Sequence, residues 1–112
     1  MTLFAITHAE RAGWQRRAAA ELAAILHAHR DLPVIAWTVG PAGATLTGHI
    51  HGLAPAQEVR ASFDAWRTAL MICEHTDTRS GHGVAYLRAL TRRNRVHLGL
   101  TATVFDDDGA DR

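Results

Sequence analysis

His49 and His51, in the stretch Gly48-His49-Ile50-His51-Gly52, are the first residues of this chain whose types and spacing suggest chemistry. Side chains at i and i+2 of a strand project from the same face. Two imidazoles so placed, joined by a third from a neighbouring strand, can form a three-nitrogen zinc site. His97 is the candidate third ligand. No carboxylate stands beside the pair in sequence to orient its rings, as the outer shell of a metal site commonly does. A half-exposed sheet face populated by threonine and histidine is therefore the plainer reading. A zinc-dependent or acid–base enzyme using His49, His51 and His97 is the alternative.

A second group, His75, Asp77, Ser80 and His82, falls in the polar stretch Glu74 to Gly83. A nucleophile needs a base within hydrogen-bond reach and a third group to orient that base. Nothing in the spacing enforces such geometry, and there is neither a glycine-framed serine nor a phosphate-loop pattern. The stretch reads as a connecting loop. Cys73 ends an apolar helical stripe, which suggests a buried, inert thiol. As the single cysteine, it excludes an internal disulfide and a cysteine-based zinc cage.

The third group is electrostatic. Arg88, Arg92, Arg93 and Arg95 give residues 81–104 four positive charges and no acid. With Tyr86 and His97 they mark a candidate surface for a protein or nucleic-acid partner. Sheet faces bind single strands by stacking bases on aromatic rings while arginines follow the backbone. Platforms of that kind commonly use two or three rings, and this surface offers one tyrosine. A solvated arginine turn is the competing interpretation.

Composition bounds these options. The chain has 112 residues, 47% of them hydrophobic, which suits one domain with a modest core and argues against disorder. It contains 21 alanines, 12 arginines and no lysine, a bias that cautions against reading every arginine as chosen for recognition. The formal net charge of +1 provides no global attraction to nucleic acid or anionic lipid. No apolar run reaches membrane-spanning length and no signal pattern opens the chain, so a cytoplasmic protein is expected.

The elements that must position these residues can be read in order. Thr7 and Glu10 fit a capping box, and Trp14, Ala18, Leu22, Ile25, Leu26 and His29 follow helical spacing, with Glu21 outside that stripe. Residues 34–39 and 44–51 alternate in polarity about Gly40-Pro41-Ala42-Gly43. As a hairpin with Trp37 facing Leu46, they put Ile35 and Ile50 inside and both histidines outside. Pro55 opens a second helix whose stripe is Val59, Phe63, Trp66, Leu70 and Cys73. A second hairpin, turning at Thr91 to Asn94, sets Tyr86 across from Gly99 and Arg88 across from His97.

The expected fold is a two-layer α+β domain of residues 1–105 in helix–hairpin–helix–hairpin (αββαββ) order. Its four-stranded antiparallel sheet would carry both helices on one face, and residues 106–112 would form an acidic disordered tail. The repeated αββ order raises an internal duplication. The function that follows is a small binding domain acting through its open sheet face, homodimeric by stacking that face on a second copy. Tyr86, Arg88, Arg92, Arg93, Arg95 and His97 would then engage a protein or nucleic-acid partner. No cofactor and no membrane are expected.

Overall fold

The computed structural model describes residues 7–40 and 43–106. The expected apolar lead-in at residues 1–6 and the acidic tail at 107–112 lie outside them. The elements are α1 (His8–Ala28), β1 (Ala36–Val39), β2 (Thr45–Ile50), α2 (Ala56–Ala69), β3 (Thr76–Arg79), β4 (Val84–Arg93) and β5 (Val96–Phe105). The class is mixed α+β, with two helices against a five-stranded sheet of order β1-β2-β5-β4-β3.

The sheet differs from expectation in three ways. First, Thr76–Arg79, read as loop, is an edge strand paired antiparallel to β4. All four of its residues are exposed, so it lacks the apolar alternation by which a strand announces itself. Second, β2 and β5 are parallel neighbours, Leu46 beside Leu98 and Gly48 beside Leu100, so the sheet is mixed rather than antiparallel. Third, the αββ halves are not structural repeats. β1 lies outside β2 on one flank and β4 outside β5 on the other, while β2 and β5 run the same way. With both helices in one core, that is a mirror arrangement, and no rotation converts one half into the other.

Both hairpins keep the expected faces while slipping in register. Trp37 sits opposite Gly48 and Val39 opposite Leu46, two residues from the expected pairing. Gly48 is where the large ring fits, since a Cβ there would lie 3.0 Å from the tip of Trp37 and 2.9 Å from Ile35. In the second hairpin Arg93 meets Val96, so the turn is Asn94-Arg95 alone. Both residues have positive φ, 48° and 66°, as a two-residue turn matched to strand twist requires. Asn tolerates this conformation; arginine does so at a cost. Arg95→Gly is expected to raise stability by about 0.5–1 kcal/mol, visible as a few degrees in Tm.

Buried residues form one core. It takes Ala18 and Ile25 from α1, Val59, Phe63 and Trp66 from α2, Leu70 at the cap that follows it, and the inward side of the sheet from Leu46 through Leu98 and Leu100 to Ala85. The capping box at Thr7 and Glu10 is present. Two inward positions run against the expected stripes. Cys73 is exposed, because α2 stops at Ala69, Met71 turns the chain at φ 61°, and Ile72 takes the buried place.

Glu21 is buried, with 6% of its surface exposed. Its Oε1 accepts from Asn94 Nδ2 at 2.8 Å and its Oε2 lies 3.5 Å from Arg93 Nε. One carboxylate thus ties α1 to the β4–β5 turn. Glu21→Ala should cost about 1–2 kcal/mol by removing a charge-assisted hydrogen bond whose partners can still reach water. Urea unfolding of both proteins measures it.

Asp106 belongs to the fold rather than to a solvated tail. Its carboxylate accepts from Arg60 at 2.7 Å and Arg79 at 3.1 Å, joining the end of β5 to α2 and β3. The Arg60 hydrogen bond holds this carboxyl below its ordinary value, against an opposing effect of burial. The stability so gained is present above the ordinary carboxyl range and is lost as pH falls through the lowered value.

Candidate interaction surface

The helices cover one side of the sheet and leave the other open. Strand register arranges the open side in rows. Thr45, His97 and Arg92 form one row; Thr38, Thr47, Gly99 and Leu90 the next. Ala36, His49, Thr101, Arg88 and Thr76 span all five strands. Thr103, Tyr86 and Thr78 follow, then Phe105 beside Val84. No strand residue on this side is acidic; Glu74 lies at the margin, where it lines a hollow with Arg88 and Leu90.

His49 and His51 both project here, as alternation demands, with Ile50 buried between them. Their rings meet edge to face at 5.0 Å. His49 Nδ1 lies 2.7 Å from Thr101 Oγ1 across the parallel pair. Burial, and secondarily the charge of His51, holds His49 below its ordinary pKa, because both disfavour the imidazolium. His97 does not join them. It is paired with Thr45, whereas His49 is paired with Thr101, four residues further along β5 and therefore about 13 Å away. The set His49, His51 and His97 is thus not assembled. Among the described residues, no three histidine, cysteine or acidic side chains converge as metal ligands.

The polar stretch at residues 74–83 likewise holds no assembled acid–base set. Asp77 is engaged by Arg60 at 3.4 Å and Arg79 at 3.7 Å on the helix side. His75 packs on Phe63 at 5.6 Å, and Ser80 Oγ accepts the His82 amide at 3.2 Å.

The structure divides the arginine group. Arg88 and Arg92 stand on the open face, Arg95 stands in the turn, and Arg93 points to the helix side against Glu21. Tyr86 is on the open face and half exposed. Arg88 faces Thr101 rather than His97, and Arg92, expected within the turn, is a strand residue facing His97.

Two surface residues escaped the sequence reading. Leu90 and Phe105 are 61% and 50% exposed on the same face as Tyr86. Strand parity could have found both: Leu90 follows 86 and 88, and Phe105 follows 101 and 103. Assigning the turn to Thr91–Asn94 drew attention away from Leu90.

No family model matches the chain, and no curated protein or solved structure matches it either. Among the described residues, no helix is long and apolar enough to cross a membrane.

Proposed function

We propose that this chain is a binding domain working through the uncovered face of its sheet, and that this face stacks on a second copy about a two-fold axis. The observation carrying the reading is Leu90, 61% exposed on the open side of β4 just past the end of its pairing with β3. Tyr86, Val84 and Phe105 add a second apolar spot on the same side. Large apolar groups on an open sheet face mark interaction sites when nothing in their own chain covers them. Threonines on β1, β2, β3 and β5 lie between and around these spots, giving a low, β-branched relief suited to sheet-on-sheet packing.

The absence of acidic strand residues on this side sets the limits of the contact. Arg88 and Arg92 cannot be neutralised from the same face of a partner copy, so they belong at the rim, where water or an anionic partner can reach them. The arginine turn is left for a protein or nucleic-acid partner. Light scattering coupled to size exclusion at pH 8 tests the reading. A molar mass of twice the 12.2 kDa chain is expected, and a monomer throughout the accessible concentration range would overturn it.

A further inference from the structure

We propose that the cleft between the first half of α1 and the β4–β5 turn is a binding site for a phosphate-bearing ligand, either the backbone of a single-stranded nucleic acid or a free polyphosphate. The cleft encloses about 390 Å³ and is lined by Trp14 and Arg17 of α1, Gly43 of the β1–β2 loop, Arg92 and Arg95 of the second hairpin, and His97 of β5. It contains no acid.

The arginines of the fold divide into paired and unpaired, and this hollow gathers three of the unpaired ones. Arg60, Arg67, Arg79 and Arg93 each form an ion pair with Asp or Glu. Arg11, Arg16, Arg17, Arg30, Arg88, Arg92 and Arg95 form none among the described residues, and of these Arg17, Arg92 and Arg95 line one hollow. Three unpaired guanidiniums around one hollow repel one another, and an entering anion relieves that repulsion. The planar fork of each guanidinium matches two oxygens of a phosphate, which makes phosphate a better fit than a simple halide. Trp14, only partly buried, offers a ring edge or face to a base.

Fold geometry holds these groups in place. The Glu21 carboxylate fixes Asn94 and Arg93 and thereby sets the turn that carries Arg95 against the helix that carries Arg17. The His97 amide donates to Ala44 O at 2.8 Å, which fixes the start of β5 beside the β1–β2 loop. The arginine hairpin gains from α1 a second wall that sequence order does not suggest. The proposal extends the reading of that hairpin as a partner surface and does not depend on sheet stacking, because the cleft opens at the end of the sheet beyond Leu90.

The test uses the full chain and a short fluorescein-labelled single-stranded oligonucleotide followed by anisotropy, with tripolyphosphate as competitor. Three neutralised phosphates give a slope of log affinity against log salt of about −2. Arg17→Glu should lower affinity at least about tenfold and flatten the slope by about one. Arg16→Glu, the same charge change on the neighbouring exposed residue of α1, should change affinity less than about twofold. Arg95→Gly should weaken binding while raising Tm, a combination that misfolding cannot produce. Direct oligonucleotide binding with this pattern identifies the nucleic-acid source. Tripolyphosphate binding by calorimetry, sensitive to Arg17 and without oligonucleotide binding, identifies the free polyphosphate. Equal losses for Arg16→Glu and Arg17→Glu, or no binding of either probe, would overturn the site. Molar mass measured in parallel separates this outcome from failure of the dimer.

Discussion

Trp66→Ala is expected to destabilise the protein by about 3–5 kcal/mol, a large share of the roughly 5–15 kcal/mol that domains of this size possess. Trp66 is 2% exposed at the centre of the contact between α2 and the α1–β1 connection. Its indole N–H donates to Pro33 O at 2.8 Å, and its ring meets Trp37 edge to face at 5.4 Å. Truncation therefore opens a cavity of aromatic size, strips one face from Trp37 and leaves the Pro33 carbonyl without its donor. Trp37 supplies the control. Its Nε1 is buried with no hydrogen-bond partner, so Trp37→Phe removes an unsatisfied donor along with some apolar area. Trp66→Phe loses both area and a made bond. Urea unfolding should place Trp66→Phe clearly below Trp37→Phe, and the reverse order would contradict the packing described above.

What the sequence disclosed and concealed follows one physical division. Face assignment was legible because it depends only on alternation. Moving either hairpin by two or four residues preserves parity, so Ile50 remains inside and His49, Tyr86 and Arg88 remain outside although both registers differ from those expected. Register itself was not legible, because the decisive turn is Asn94-Arg95. Glycine is the residue that advertises the second position of such a turn, and arginine conceals it. The parallel contact of β2 with β5 was also hidden. It depends on which way the chain crosses after α2, and neither strand records that in its own pattern. The same contact removes His97 from the histidine pair, so one topological fact unmade the three-histidine site. β3 had no apolar face to betray it. Glu21 read as a solvated helix residue because its partners, Asn94 and Arg93, are more than seventy residues distant along the chain. The cationic cleft was half visible: the hairpin arginines stand together in sequence, whereas Arg17 joins them only through the packing of α1.

Leu90→Arg should abolish self-association, raising the dimer dissociation constant by at least about a hundredfold. A two-fold interface contains the substitution twice, and each copy places an unpaired guanidinium where apolar surface was buried, a cost of several kcal/mol per contact. Arg88 and Arg92 on the same strand make the new charge less welcome still. Leu90 is exposed in the single chain, so the variant should keep the wild-type Tm at low concentration. It should also retain or gain affinity for anionic oligonucleotides, which separates the sheet face from the cleft.

Acid should act in the same direction as the substitution. His49 already stands below its ordinary value, with Thr101 against its ring and the charge of His51 beside it, while Arg88 stands in the same row two strands away. Within the single chain, the unfolded state therefore takes up this proton first, and stability falls as pH drops through about 6.5 toward the lowered value. In the proposed dimer a second sheet would desolvate His49 further, so that dimer would bind fewer protons than two separate chains. Association should be strongest at pH 8 and should weaken as the pH falls below about 6.5 through the lowered value of His49, and His49→Gln should flatten that dependence. A dimer equally stable at pH 8 and pH 5.5, and indifferent to Leu90→Arg, would have its interface somewhere other than this face.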